Sequence, residues 1–251
     1  MAAEPGPPLL RRSGLVAGRI LLRHKRFLAE VRLEDGRDVT AHCTNTGSMR
    51  SCWEAGDRVL LEPSANPARK LPYTWLACER DGHWVGVETG IPNRVVAEAA
   101  RRDLLPGLPG LREVRTEVRY GAERSRIDVL AADGEGRQVF IEVKNATLRV
   151  GERACFPDAV TERGLKHLRE LRRMVGEGHR AAVAFFIHRG DVSAFAAARD
   201  IDPAYADELD RAAEQGVAVL PLAVRMTPAA APAGTWSLAW ELPGLLPWSR
   251  S

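Results

Sequence analysis

Between residues 15 and 87 the hydrophobic positions recur in short alternating runs. Phe27, Ala29, Val31 and Leu33 alternate with polar neighbours, Asp35-Gly36 follows, and the alternation resumes at Val39, Ala41 and Cys43. A period of two puts the apolar side chains on one face of a strand, and a Gly-containing break between two such runs predicts a hairpin. Residues 73–78 and 84–87 flank a second turn at Asp81-Gly82, and residues 59–61 add a further strand. About five short strands in so short a stretch predict a small barrel. The pattern fits an oligonucleotide-binding-type barrel and equally a generic β module used for packing.

The period changes near Pro92. Asn93 is the expected N-cap of a helix in which Val95, Val96, Ala99 and Ala100 form one apolar stripe, ended by Pro106-Gly107. Strand-like runs follow at 114–120, 124–131 and 138–145. A helix is then expected from about residue 157, with Val160, Leu165, Leu168, Leu171 and Val175 on one face and a stop at Gly176 or Gly178. Residues 181–187 are almost wholly apolar, as in a strand buried on both faces. A helix at 203–215 and a strand at 217–222 complete the order αβββαβαβ. The expected organisation is mixed α/β: a β-barrel domain at 1–88, an α/β domain at 89–226, and an irregular tail rich in Pro, Ala and Gly at 227–251.

Composition narrows the function classes. Lys and Arg total 36 against 33 for Asp and Glu, a net charge of +3 that does not by itself declare a nucleic-acid partner. The distribution says more, since residues 1–75 hold 12 basic and 8 acidic side chains and the rest hold 24 and 25. The early excess lies in Arg11, Arg12, Arg19, Arg23, Lys25 and Arg26. The four cysteines show no metal-ligand spacing and read as reduced thiols of a cytoplasmic protein. No stretch has signal-peptide architecture or the length of a membrane span, so no membrane partner is expected.

The candidate chemistry sits in the second and third strands of the α/β domain. A hairpin around residues 133–137 puts Asp128 directly opposite Glu142, and the same register pairs Ile127 with Val143, Val129 with Ile141 and Ala131 with Val139. One face is then wholly apolar, while Asp128, Glu142 and Lys144 gather on the other. Opposed carboxylates repel unless a cation or proton intervenes. One reading is a divalent cation, Mg2+ or Mn2+, held by Asp128, Glu142 and the Val143 carbonyl, with Lys144 orienting the attacking water and stabilising phosphate charge. The other is a solvated face on which Lys144 and Arg126 neutralise two acids. Only four of the 36 basic residues are lysines, so Lys144 is not the chain's default cation. Glu98 is either a third carboxylate ligand or an ordinary polar-face residue. On the helix after the motif Arg163, Lys166 and His167 lie off the apolar stripe and suit phosphate contacts, as Arg23, Lys25 and Arg26 do in the barrel. His167 is also a possible general base.

Several motifs carry a resemblance. His24-Lys25-Arg26-Phe27, Thr44-Asn45-Thr46-Gly47-Ser48-Met49, Asn66-Pro67-Ala68-Arg69-Lys70-Leu71-Pro72-Tyr73-Thr74-Trp75, Arg124-Ser125-Arg126-Ile127-Asp128, Ile141-Glu142-Val143-Lys144-Asn145 and Phe156-Pro157-Asp158-Ala159-Val160-Thr161, followed by Arg163-Gly164 and Lys166-His167-Leu168, resemble the sugar fermentation stimulation protein family (SfsA). The likeness runs from about residue 13 to 222. It implies an oligonucleotide-binding-type barrel, a PD-(D/E)-x-K nuclease-like αβββαβ domain whose pattern falls on Asp128, Glu142 and Lys144, and sequence-independent DNA binding. It also implies a regulatory role in sugar metabolism. Two functions follow: a metal-dependent nuclease, or a non-catalytic DNA-binding regulator of sugar metabolism genes. Nothing resembles a base-reading helix-turn-helix element.

Overall fold

The structure, a computed structural model, describes residues 7–120 and 125–249. Arg124, expected to open a strand, lies outside the described residues. β1 (Leu10–His24), β2 (Leu28–Leu33), β3 (Asp38–His42), β4 (Arg58–Pro63), β5 (Tyr73–Arg80) and β6 (His83–Gly86) form the N-terminal part. The expected alternation holds: Ala29, Val31 and Leu33 of β2 point inward to meet Ala41, Val59, Leu61 and Trp75 in a closed core. β1 pairs with both β2 and β4, β2 with β3, β3 with β5, and β5 with β4, so the ladder closes in the order of an OB barrel. Gly18 is where β1 is held between β2 and β4, and a Cβ there would lie 2.6 Å from the Arg32 carbonyl oxygen.

The α/β part follows as α1 (Ile91–Arg101), β7 (Arg112–Tyr120), β8 (Ser125–Ala132), β9 (Gln138–Asn145), β10 (Leu148–Val150), β11 (Arg153–Phe156), α2 (Glu162–Gly176), β12 (Arg180–Ile187), β13 (Ala194–Ala197), α3 (Pro203–Glu214), β14 (Ala218–Ala231), β15 (Thr235–Leu245) and β16 (Trp248–Ser249). β12 is parallel to β9 and β14, and β8 is antiparallel to β7 and β9. α1 covers one face, packing on Val129, Val139, Ile141 and Ala184. α2 and α3 cover the other, over Leu130, Phe140, Val183 and Phe185. β12 is therefore buried on both faces, as its apolar run requires. No helix among the described residues is long and apolar enough to cross a membrane, and all four cysteines are free and buried.

Three expectations need correcting. Residues 227–249 are not an irregular tail. β14 runs on to Ala231 and pairs with β15, which pairs in turn with the first half of β1, fusing barrel and α/β sheet into one 12-stranded sheet. The prolines and alanines hid a period of two at Trp236, Leu238, Trp240 and Leu242, which packs into the main core. Asn93 is not an N-cap, because α1 already starts at Ile91 after Gly90. The second helix starts at Glu162, not near 157, because Thr161 caps it by accepting the Gly164 N–H at 3.0 Å.

The β8–β9 ladder has the expected register from Ala132↔Gln138 to Val129↔Ile141, and there the pairing ends. Val129 and Ala131 pack under α1, yet Ile127 packs on the α2 side. β7 does the same: Val114 lies with the first cluster and Val118 with the second. Between them Glu117 has φ 56°, so the strand pair rolls over there while its register runs on unbroken. Thr116↔Val129 and Val118↔Ile127 flank this point, which puts Asp128 at the roll. Ile127 is thus not stacked with Val143 on one apolar face, contrary to the expected register. It is fully buried, so Ile127→Ala is expected to cost about 2–5 kcal/mol, read as a lowered urea midpoint.

Candidate active site

The roll takes Asp128 out of the ladder and lets its carboxylate replace a strand partner. Val143 N–H donates to Oδ2 at 2.7 Å and Asn93 Nδ2 donates to Oδ1 at 2.7 Å. Asn93 comes from the first turn of α1 and also lies 3.5 Å from Glu117 Oε1. Burial first, and the charge of Glu142 second, push the Asp128 carboxyl up to about 6, against the opposing pull of the Val143 N–H, Lys144 and Asn93.

Glu142 lies on β9, buried under α2. Its Oε1 accepts from Lys144 Nζ at 2.7 Å and meets His167 Nδ1. Lys144 Nζ is also 3.2 Å from His167 Nδ1. Burial pushes the Glu142 carboxyl up, but the His167 hydrogen bond and the Lys144 charge together outweigh it and hold it below the ordinary range. The second oxygen, Oε2, is buried and has no hydrogen-bond partner. Two neighbouring acids are therefore pushed in opposite directions.

The remaining sequence candidates fall in different places. Glu98 is ion-paired with Arg102 at 2.7 Å and Arg101 at 3.6 Å, one turn beyond Asn93, and no contact with Asp128 is found. It lines a cleft of about 470 Å³ beside the site together with Asn93, Arg94 and Glu117. His167 is buried against Glu142 and not presented to solvent, while Arg163, one turn earlier, donates from Nε to His167 Nε2 at 3.4 Å and is exposed. Lys166 is half-buried on the same helix, and Arg126 is exposed with Glu117 at 3.5 Å. Among the described residues no group of three or more His, Cys, Asp or Glu side chains is placed to hold a metal ion.

In the barrel, Arg23 and Arg26 are engaged with the 44–49 loop. Arg23 Nη2 donates to the carbonyls of Asn45 at 2.9 Å and Gly47 at 3.1 Å, and Arg26 Nε donates to Thr46 at 2.7 Å. The loop's far end reaches the α/β part: Ser48 N and Oγ both donate to Asp158 Oδ2 at 2.9 Å, and Thr89 N donates to Thr44 Oγ1 at 3.0 Å. It therefore bridges the barrel to the segments that lead into α1 and α2. Lys25 and Lys70 are exposed and, among the described residues, have no ion-pair partner. Asn93 and the Arg69-Lys70 pair were missed as site residues. Arg69 and Lys70 stood inside one of the family-like motifs, whereas Asn93 carried no signal beyond its place at the start of a helix.

Fold and site together define an OB barrel fused to a mixed α/β domain, with an acid pair and a lysine at a roll in the sheet. Residues 21–87 match the SfsA N-terminal OB domain, and residues 90–230 match the sugar fermentation stimulation protein RE domain. The chain belongs to the sugar fermentation stimulation protein family. It is 50% identical over 214 residues to a sugar fermentation stimulation protein homolog of Geobacter metallireducens, covering 85% of this chain and 92% of that one. Against the homolog of Thioalkalivibrio sulfidiphilus it is 51% identical over 215 residues, with 85% and 90% covered. The fold is similar to that of Pyrococcus furiosus SfsA, solved in complex with Ca2+, with a TM-score of 0.82, 30% identity, and 97% and 100% of the two chains covered.

Proposed function

We propose that this protein binds DNA without regard to sequence and hydrolyses its phosphodiester bonds at Asp128, Glu142 and Lys144, a PD-(D/E)-x-K site, with Mg2+ or Mn2+. The observation that carries this reading is Glu142 Oε2, a buried carboxylate oxygen without a partner next to a second acid whose ionisation it opposes. Withdrawing such an oxygen from water without a compensating contact is costly, and a cation is the ligand that offsets the cost. The donors fit: Asp128, Glu142 Oε2 and the Val143 carbonyl are hard oxygens. Two carboxylates with the remaining positions left to water and phosphate is how magnesium is commonly held. The Ca2+ bound by the archaeal relative supports an oxygen-lined cation site. When bound, the cation supplies Lewis acidity toward the phosphate.

The chain's own groups do the rest. Asn93 and the Val143 N–H fix the Asp128 carboxylate, and His167 fixes Glu142. Lys144, 2.7 Å from Glu142, orients the attacking water and stabilises negative charge as it develops on the phosphate. Arg126, Arg163 and Lys166 surround the site with positive charge for the flanking phosphates. Purified protein incubated with labelled single-stranded, duplex and branched DNA, with and without manganese, is expected to cleave at least one substrate only with the metal. Lys144→Met is expected to cut that cleavage by about two to four orders of magnitude.

A second reading has its own observation. Lys144 and His167 both engage Glu142 Oε1, so the acid is partly compensated by the protein itself. On that reading the protein is a non-catalytic DNA-binding regulator of sugar metabolism genes. Tight binding of every substrate with no cleavage of any under manganese decides for it.

Binding is expected to weaken with salt, each phosphate contact adding about −0.7 to −0.9 to the log–log slope. Replacing Lys25 and Lys70 together with Ala is expected to flatten the slope by about 1 to 2, measured by fluorescence anisotropy across a salt series. An unchanged slope would move the docking surface away from the barrel end. Arg23 is unsuited to this test because its guanidinium holds the 44–49 loop.

A further inference from the structure

The turn between β1 and β2 is built against its own backbone preference. Lys25 has φ 49° and Arg26 has φ 65°, left-handed values costly for residues with a Cβ, at a place where Asn and Gly are the usual occupants. The turn is held in that form from two sides: Arg23 Nη2 donates to the Arg26 carbonyl at 2.7 Å and Arg26 Nε donates to the Thr46 carbonyl at 2.7 Å. The strain buys a particular display. Phe27 stands 44% exposed at the tip, although its carbonyl is fixed by the Cys43 N–H at 2.8 Å, and the free Lys25 ammonium stands beside it. A lone exposed aromatic means little. An exposed aromatic held on a strained, braced turn between cations calls for a ligand.

The same barrel end gathers further groups. Leu28 pairs with His42, and Arg69 Nη2 lies 3.2 Å from His42 Nδ1 while its Nη1 donates to Thr74 Oγ1 at 3.0 Å. The 64–72 loop, with Lys70 exposed, therefore borders the 25–27 turn. On its other side that turn touches the 44–49 loop, which reaches Asp158 ahead of α2 and Thr89 ahead of α1. A chain laid across this end would run from Lys70 past Phe27 and Lys25 along the 44–49 loop toward the helices that carry His167 and Asn93.

We infer that this barrel end is a clamp for single-stranded DNA, in which Phe27 stacks on one base while Lys25, Arg26 and Lys70 follow the backbone. The inference rests on the nucleic-acid-binding reading above and names its substrate class. A base face is available to an aromatic ring in a single strand and is hidden by stacking in a duplex, so an exposed ring flanked by cations selects the single strand. The 44–49 loop then delivers that strand to the acid pair, so cleavage falls at a fixed offset from the stacked base.

The test measures binding of a fluorescein-labelled single-stranded oligonucleotide, and of the same sequence as a blunt duplex, to the full chain in EDTA, which keeps the probe intact. Wild type is expected to favour the single strand. Phe27→Ala is expected to weaken single-strand binding by about 5- to 150-fold, the range that loss of one stacked base produces, with duplex binding and the salt slope unchanged. Phe27→Trp is expected to retain the affinity, and its added indole fluorescence to be quenched by the single strand. Phe27 is an exposed turn residue, and unchanged melting of both variants is part of the expectation. Wild-type single-strand affinity in Phe27→Ala, or an equal loss for duplex, overturns the clamp. Preference of wild type for duplex overturns it too, yet leaves the nucleic-acid reading standing. Binding of neither probe by wild type defeats that reading itself.

Discussion

Replacing Lys144 with Met should cut DNA cleavage by two to four orders of magnitude, roughly what loss of a positioned acid, base or charge-stabilising group costs. It should do so while leaving the response to manganese nearly intact. Asp128→Asn should lose both. The distinction follows from the proposed roles, in which Asp128 offers a charged oxygen to the cation and Lys144 serves the water and the phosphate. In EDTA the order of stability should run the other way. The Asp128 carboxyl is pushed up to about 6 in the folded chain from an ordinary 3.8, so the folded state takes up its proton more readily than the unfolded one. The resulting stability is present below about pH 4 and lost as pH rises toward and through about 6. At pH 8 the ionised Asp128 therefore costs the fold free energy, and Asp128→Asn should melt at or above wild type. With manganese, wild type should gain about 2.7 kcal/mol at one hundred times Kd, and Asp128→Asn much less. Thermal melts of the three proteins across a manganese titration, paired with cleavage assays on the same samples, read all of this. An identical metal response in wild type and Asp128→Asn would remove the cation from this site.

Arg189→Met should be strongly destabilising although it lies outside the site, by about 3 kcal/mol, the lower end for a buried ion pair that loses one partner. The Arg189 and Asp191 side chains are only 1% and 4% exposed and meet through two contacts of 2.6 and 2.7 Å. The guanidinium also donates to the Thr147 carbonyl and, at 3.1 Å, to the Ser51 carbonyl, so one side chain ties the barrel's 43–57 connection to the corner after β9. Hydrogen bonding from Arg189 and its charge overcome the burial that would push the Asp191 carboxyl up, and hold it below its usual value. That contribution is present above the unfolded carboxylate range and lost as pH falls through the lower folded value. Urea denaturation at pH 7 measures the loss. Arg149 Nη1 also lies 2.9 Å from Asp191 Oδ2, so the acid keeps one partner in Arg189→Met, and adding Arg149→Met should deepen the loss. Full wild-type stability in Arg189→Met would show that this side chain adds nothing to the other contacts joining the two parts.

Much of the site was legible before the fold. Val129, Ala131, Val139 and Ile141 fix the β8–β9 register because a slip of one residue would turn every one of them out of the core, and that register is the one observed. Asp128, Glu142 and Lys144 followed from it as neighbours. The same local logic read the barrel strands, where alternation records which face is buried, and β12, whose unbroken apolar run records burial on both.

What the residues could not announce was anything that depends on a partner far along the chain. Asn93 reaches Asp128 across 35 residues, and Arg189 reaches Ser51 across 138. No period or spacing encodes such contacts. The strands after residue 227 exist because β1 and β14 offer them ladders on both sides, so Pro- and Ala-rich sequence that forms no strand alone forms one there. The roll at Glu117 and Asp128 reverses which neighbours share a face, and only packing between the two helical layers selects it. Sequence periodicity thus determined most of the elements and brought the candidate acids and lysine onto adjacent strands. Tertiary structure alone decided where they point, since a side chain's direction at a strand irregularity is set by the layers closing on it and not by its own neighbours in the chain.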